Sequence, residues 1–197
     1  MIEDTMYYVK FHDLTVIGRP TNFQNSNVRV GEDTIIEEGT IIFSNTTILY
    51  DVHIGKNCRI GNFSLIRDNV TLGNDVSIGS HNSIEPYATI GKGTRTQGHC
   101  MISEFSSIGE NVFLGPYFNT TGDNTIGAVK GEYNANPAKI GNNCRFGTGT
   151  KVVPGIDIKD GTITGAMTLL TKDTEKDSLY IGIPGKKVRQ LKEDLII

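Results

Sequence analysis

The sequence is poor in the residues that mark several common protein classes. Its 197 residues include no Trp, only 6 Pro and only 3 Cys. The cysteines are Cys58, Cys100 and Cys144, and an odd number without close spacing argues against both a disulfide framework and a zinc ribbon. The net charge of −3 leaves no basic excess of the kind that a nucleic-acid-binding face requires.

Long hydrophobic stretches are also missing. No apolar run approaches the roughly 20 residues that cross a membrane as a helix. The start, Met1-Ile2-Glu3-Asp4, has no basic segment followed by an apolar one, so it does not resemble a secretory signal. We therefore expect no membrane span and a cytoplasmic protein whose cysteines stay reduced.

A six-residue repeat accompanies the high glycine content of 23 residues. Every sixth residue from Val30 to Thr120 is aliphatic, apart from Thr96 and Thr120 itself. The residue two places earlier is small or β-branched, with exceptions at Asn82 and Phe118. An α-helix cannot turn this spacing into a continuous face, because positions six apart rotate around its axis.

A β-strand explains the repeat. Residues two apart lie on the same side of a strand, so the small residue and the aliphatic residue both point inward. Glycine or a polar residue then turns the chain, because glycine tolerates a positive φ. Each hexad is therefore predicted to be a short strand plus a turn, and stacked coils would pair their strands in parallel around a continuous core.

The hexad Ile54-Gly55-Lys56-Asn57-Cys58-Arg59 resembles the repeat of the hexapeptide-repeat acyltransferases. The resemblance covers roughly residues 28–170. It implies an all-β fold, a left-handed parallel β-helix in which three hexads form one triangular coil. It also implies acyl transfer from a CoA thioester, with acetyl-CoA as co-substrate, and a homotrimer that binds CoA between neighbouring subunits.

The predicted organisation is a β-helix domain over 1–182 and a C-terminal turn and short helix over 183–197. Residues 1–27 are expected to cap one end, since a solenoid exposes open strand edges. The repeat breaks over 121–137, which predicts an extruded loop, and long loops in compact domains are usually functional. The apolar face of the expected terminal helix would consist of Val188, Leu191 and Leu195.

Two of the four histidines are placed to stack. His81 and His99 are eighteen residues apart and each precedes an inward small position, so both should point outward from the same side of the prism. His12 and His53 are expected to be solvated surface residues. Cys100 should be buried beside an exposed His99, which argues against a thiol nucleophile.

The stretch around His99 resembles N-acetyltransferases that act on nucleotide-linked amino sugars. In that family a proton-accepting or amine-positioning residue lies about one coil before a Gly-Pro pair, here Gly115-Pro116, which assigns His99 as the general base. An imidazole can accept a proton from an amine near neutral pH. The other candidates for contacting the acceptor are His81, Asn82, Glu85, Asn119 and Asp123. Those for contacting acetyl-CoA are Gly147, Gly165, Ala166, Lys172, Lys186 and Arg189, and no metal is expected.

Other functions remain open at this point. A zinc hydrolyase of the carbonic anhydrase type shares this β-helix, but it needs three converging histidines, two of them only a few residues apart. A non-catalytic scaffold would need neither the loop nor the paired histidines. Among transferases, the alternative is O- or N-acetylation of another small acceptor, such as a free sugar, an amino acid or an antibiotic.

Overall fold

A computed structural model of the chain describes residues 15–17, 22–23, 28–31, 33–126, 128 and 134–191. Within this part the chain forms short strands joined by tight turns, and it contains no helix that is long and apolar enough to cross a membrane. In chain order the strands are β1 Thr15–Ile17, β2 Asn22–Phe23, β3 Arg29–Val30, β4 Ile35–Glu37, β5 Ile41–Ile42, β6 Thr47–Ile48, β7 His53–Ile54, β8 Arg59–Ile60, β9 Leu65–Ile66, β10 Thr71–Leu72, β11 Ser77–Ile78, β12 Ser83–Ile84, β13 Thr89–Ile90, β14 Arg95–Thr96, β15 Met101–Ile102, β16 Ser107–Ile108, β17 Phe113–Leu114, β18 Asn119–Thr120, β19 Lys139–Ile140, β20 Arg145–Phe146, β21 Lys151–Val152, β22 Asp157–Ile158, β23 Ile163–Thr164, β24 Leu169–Leu170, β25 Ser178–Ile181 and β26 Lys186–Gln190.

The strands form three sheets, and successive strands pass from one sheet to the next. Sheet A contains β1, β4 and every third strand to β22; sheet B runs from β2 to β23 and adds β25 and β26; sheet C runs from β3 to β24. All neighbours pair in parallel except β25 and β26. Three hexads thus close one triangular coil, which confirms the predicted left-handed β-helix. The structure gives it about eight turns.

The aliphatic residues of the repeat fill the inside of this prism. Ile60 and Ile78 are at most 2% exposed and are directly paired across sheet B. The small position is as deeply buried, and its hydroxyl groups form a polar seam. Thr40 Oγ1 donates to Gly55 O at 2.8 Å and accepts from Cys58 N at 3.1 Å. This arrangement satisfies backbone groups that would otherwise be buried without partners.

The three sheets meet at three corners, named here by the sheets that they join. The turns of the AB corner contain Asn57, Asp75, Gly93, Asn111 and Asn143; those of the BC corner contain Phe63, His81, His99, Tyr117, Gly149 and Met167; those of the CA corner contain Asn69, Tyr87 and Phe105. All of these residues have a positive φ between 54° and 71°. Where the residue after a strand is glycine, the next coil can leave no room for a side chain, since a Cβ on Gly61 would lie 2.5 Å from Gly79 C.

The C-terminal segment differs from the prediction. Where a helix was expected from residue 183, β26 pairs antiparallel with β25 at the edge of sheet B. An open edge offers unpaired backbone groups, and a returning strand satisfies them more directly than a helix would. Val188 is 56% exposed whereas Leu191 is 8% exposed, so they share no buried helical face. Leu195 lies outside the described residues.

Two other predicted segments are partly described. Within 1–27, β1 and β2 extend sheets A and B by pairing with β4 and β5. The repeat resumes at β19, where Ile140 pairs with Ile108, so 32 residues replace the usual 18. The extra chain leaves the prism at the CA corner after β18, as the break over 121–137 predicts. His12 lies outside the described residues.

Candidate active site

Four aromatic rings stack along the BC corner, one from each successive coil, and form a column that we call the ladder. The ring centroids are 5.0 Å apart for Phe63 and His81, 4.9 Å for His81 and His99, and 4.9 Å for His99 and Tyr117. The rings lie within 9° of parallel. All four side chains are exposed, so the two imidazoles face solvent as the eighteen-residue spacing predicts. Because His81 and Tyr117 contact the two faces of the His99 ring, the edge of the ring is the part that a ligand can contact.

The backbone at this corner also offers hydrogen-bond donors. At the AB corner some of the equivalent turn amides are taken, since Lys56 N donates to Asn74 Oδ1 and Asn142 N donates to Asp160 Oδ1. Asn74 N and Lys92 N have no hydrogen-bond partner among the described residues. At the BC corner Gly98 N and Ala166 N have no hydrogen-bond partner among the described residues. Lys56 and Asn142 donate to the side chain eighteen residues later. For Gly98 that residue is Pro116, whose side chain carries no acceptor.

Three of the predicted acetyl-CoA contacts share this corner. Gly147 follows β20, and Gly165 and Ala166 follow β23, so all three lie in BC turns. The coil of Ala166 is three steps along the prism axis from that of His99, roughly 14 Å at the spacing of paired strands. The structure therefore lines up the predicted base and the glycine turns along one edge of the prism.

Asn119 lies beside this column on sheet C, but its side chain already has a partner. Lys151 Nζ donates to Asn119 Oδ1 at 2.8 Å and to Tyr117 O at 2.6 Å. The Lys151 ammonium is therefore held within two residues of the ladder. Neither Phe63 nor Tyr117 was predicted to belong to the site, although extending the spacing of His81 and His99 by eighteen residues on each side finds both.

Asn82 is not a substrate contact, contrary to prediction. It is 2% exposed, and its amide nitrogen donates to Gly79 O, Thr96 Oγ1 and Gln97 O at 2.7–2.9 Å. Its Oδ1 accepts from Cys100 N at 2.6 Å. Asn82 and Thr96 both break the repeat, and they do so together because each satisfies the other inside the core.

The structure places Glu85, Asp123 and Lys172 near a different corner. Glu85 ends its strand beside the CA corner, where its carboxylate pairs with Arg67 Nη1 at 3.1 Å. Asp123 Oδ1 accepts from the backbone and hydroxyl of Thr125, which lowers the pKa of that carboxyl group. Within one chain, the width of sheet C separates these residues from His99.

The remaining polar candidates lie at the C-terminal end. Lys186 and Arg189 are exposed on β26, at the edge of sheet B. His53 is also exposed, on sheet A, and its Nε2 lies 2.8 Å from Glu37 Oε1. His53 therefore has a surface contact with Glu37 away from the ladder.

The three cysteines are free and buried, as their inward position predicts. Burial raises the pKa of the Cys58 and Cys100 thiols to about 11 and that of Cys144 to about 12. A protonated, buried thiol is a poor nucleophile. The described residues include no group of three or more His, Cys, Asp or Glu arranged to hold a metal ion.

Comparisons with known proteins match the repeat. A family model described as bacterial transferase hexapeptide (six repeats) matches residues 33–68 and 51–86, and one described as hexapeptide repeat of succinyl-transferase matches 137–171. A candidate acetyltransferase of Staphylococcus aureus (strain Mu50) is 41% identical over 66 residues, 34% of this chain and 33% of the relative. A chloramphenicol acetyltransferase of Agrobacterium fabrum is 34% identical over 67 residues, 34% of this chain and 32% of the relative.

Solved structures share the architecture. A polysialic acid O-acetyltransferase superposes with a TM-score of 0.55 at 22% identity, over 91% of this chain and 89% of the other. The serine acetyltransferase of Neisseria gonorrhoeae gives 0.51 at 20% identity, over 57% and 42%. The alignments with the two sequence relatives span about a third of their length, and these structural likenesses show the fold alone. Residues 33–86 and 137–171 thus match models of hexapeptide repeats, and the three-sided fold is a left-handed β-helix built from that repeat.

Proposed function

We propose that the chain transfers an acetyl group from acetyl-CoA to the amino group of a nucleotide-linked amino sugar, with His99 as the general base. The observation that carries the proposal is the BC corner, where an exposed imidazole, unpaired backbone amides and glycine turns share one edge. Similarity to acetyltransferases over a third of the chain supports the donor. The resemblance around Gly115-Pro116 supports the acceptor.

The chemistry requires a base at this place. As the acceptor nitrogen attacks the thioester carbonyl, His99 takes its proton; the new C–N bond forms, the C–S bond breaks, and the CoA thiolate leaves and takes up a proton. Backbone N–H groups stabilise the oxyanion formed during attack. Gly98 N–H is the nearest such group in sequence. His81 and Tyr117 act as positioning residues, since they contact the two faces of the His99 ring.

The extended arm of acetyl-CoA would run along the BC corner. Its thioester would reach His99 from the turns that contain Gly147, Gly165 and Ala166. Lys186 and Arg189 lie at the end of the prism on the edge of sheet B, where they can contact phosphates. Lys172 lies at the CA corner, so within one chain it faces a different edge.

A homotrimer would bring the two separated groups of candidates together. Sheet C carries Met101 and has stacked aromatic rings at both edges: Phe63 and Tyr117 at the BC corner, Tyr87 and Phe105 at the CA corner, each at least 50% exposed. An exposed apolar surface of this kind is typical of an interface. Around a three-fold axis, the CA corner of one subunit would place Glu85 and Asp123 against the BC corner of the next.

A second acceptor class is favoured by one observation. The Agrobacterium relative is named a chloramphenicol acetyltransferase, and the same general base would serve a hydroxyl acceptor. A panel of nucleotide-linked amino sugars, free amino sugars, amino acids and hydroxyl antibiotics, assayed by thiol release from acetyl-CoA, distinguishes the two. Turnover confined to hydroxyl acceptors would exclude N-acetylation.

The test of the base is His99→Asn, because asparagine tolerates the positive φ of this turn and cannot accept the proton. We expect turnover to fall by roughly 10²-fold or more, with CoA binding and oligomeric state unchanged. His53→Ala, which removes an exposed histidine from another sheet, is the matched control and should retain full activity. Near-normal turnover of His99→Asn would remove His99 from the mechanism.

A further inference from the structure

A pocket on the outer face of sheet B lies beside the AB corner, away from the ladder. It has a volume of about 450 Å³ and is lined by Arg95, Phe113 and Arg145 together with Gly93, Asn111, Val112 and Asn143. Arg95, Phe113 and Arg145 are neighbours in register on β14, β17 and β20. Two arginines therefore flank one aromatic ring.

The positive charges of this pocket are not neutralised by any carboxylate in the part of the chain that the structure describes. Neither Arg95 nor Arg145 forms an ion pair with a carboxylate of the described residues. Arg95 Cζ lies over the Phe113 ring, 5.8 Å from its centroid. The Arg145 guanidinium is half-buried, and burial together with the nearby charge of Arg95 lowers its pKa. Two guanidinium groups that repel each other at one site are stabilised by a shared anion.

The guanidinium groups are also held in place. Arg145 Nη1 donates to Asn111 O and, at 3.0 Å, to Cys144 O, which fixes its head and leaves its other N–H groups available. The Phe113 ring supports Arg95. The backbones of Arg95 and Arg145 are two strands apart, roughly 10 Å, so two long side chains can reach the same group from opposite sides.

We propose that this pocket binds the phosphate or diphosphate group of a phosphorylated small molecule, held between Arg95 and Arg145. Arginine is suited to this task because its planar fork matches phosphate oxygens in a bidentate manner. The pocket lies beside the AB corner, where β14, β17 and β20 begin, whereas His99 lies in the BC turn after the end of β14, so the two places are at opposite edges of sheet B. The assignment does not depend on the acetyltransferase proposal.

Titration calorimetry with pyrophosphate tests the assignment on the full chain. We expect saturable one-site binding that weakens about tenfold or more in Arg95→Gln and also in Arg145→Gln. Arg59→Gln is the matched control, because Arg59 lies on the same face of sheet B over Phe43, at 5.3 Å, with the same change of charge. The Arg59→Gln variant should bind pyrophosphate with the affinity of the wild-type protein.

The outcomes separate a site from general surface charge. No binding by the unchanged chain, or an equal loss in Arg59→Gln and Arg95→Gln, would overturn the proposal. If Arg145→Gln folds poorly, the comparison of Arg95→Gln with Arg59→Gln still distinguishes a specific phosphate site from general surface charge. Competition then identifies the source of the phosphate: displacement of pyrophosphate by UDP indicates a nucleotide-linked acceptor, displacement by CoA indicates the donor, and displacement by neither indicates a free phosphorylated compound.

Discussion

Replacing Asn82 with alanine tests whether this residue supports the core or contacts a substrate. The substitution removes four hydrogen bonds, three donated by the amide nitrogen and one accepted by Oδ1. Two of the carbonyl groups keep a donor, since Ser64 Oγ still reaches Gly79 O and Cys100 Sγ still reaches Gln97 O. Cys100 N–H, however, is left buried without a partner.

The lost hydrogen bonds determine how far Asn82→Ala should lower the free energy of unfolding. One orphaned buried N–H costs about 1–3 kcal/mol, and the lost hydrogen bonds and the small cavity add to it. We expect Asn82→Ala to lower the free energy of unfolding by about 3 kcal/mol, which corresponds to a fall in Tm of roughly 6–12 °C for a chain of this size. Denaturant unfolding followed by circular dichroism measures the first quantity, and a thermal scan the second.

The matched variant is Asn82→Thr, which restores what the repeat uses elsewhere. Thr94 Oγ1 donates to Gly109 O at 2.8 Å and accepts from Val112 N at 3.0 Å, and a threonine at 82 would meet Gln97 O and Cys100 N in the same way. We expect this variant to lose about 1 kcal/mol or less, with KM for both substrates unchanged. If Asn82→Ala stays within about 0.5 kcal/mol of the unchanged chain, or Asn82→Thr is equally damaged, the core role assigned to Asn82 is wrong.

Two further predictions concern the interior and the turns. The raised pKa values of Cys58, Cys100 and Cys144 predict that iodoacetamide at pH 8 labels none of them in the folded chain and all three after denaturation; fast native labelling of Cys100 would contradict this. The unfolded thiols ionise near pH 9 while the folded ones keep their protons to about 11, so stability should fall over that window by roughly 1.4 kcal/mol per pH unit per thiol, a slope absent from the triple Cys→Ala variant. Gly61→Ala should be strongly destabilising because the new Cβ would meet backbone at 2.5 Å, whereas Gly98→Ala, at 3.2 Å from Ser80 O, should lose much less in the same thermal scan. Equal losses in the two glycine variants would refute the packing argument.

The sequence alone predicts the fold because the repeat specifies the inside of the prism. Every sixth aliphatic residue must be inward, and Ile60 and Ile78 are buried and paired accordingly. The end of the chain was less predictable. Three apolar residues at helical spacing suggested a helix after residue 183, but the unpaired edge of β25 selects a strand, a tertiary effect that local periodicity does not contain.

The candidate site was predictable only along one corner. Eighteen-residue spacing relates residues on successive coils, so it relates His81 and His99 correctly. Glu85 and Asp123 were predicted to contact the acceptor beside His99, whereas the structure places them by the CA corner of the same chain. Asn82 was predicted to be functional because it departs from the repeat beside a candidate base. The structure shows that this departure is compensated within the core, where Asn82 donates a hydrogen bond to Thr96.

The side chains in the turns, above all His81 and His99, explain why only one corner is a candidate for catalysis. All three corners share the same turn and the same positive φ, so backbone geometry does not distinguish them. At the AB corner, Asn74 and Asp160 accept the turn amides of the preceding coils, which leaves those donors occupied. At the BC corner, Gly98 and Ala166 keep their amides unpaired within the described chain, and the stacked rings hold an imidazole beside them. A solenoid can therefore create a reactive edge by stacking imidazoles in one column of turns whose amides are unpaired.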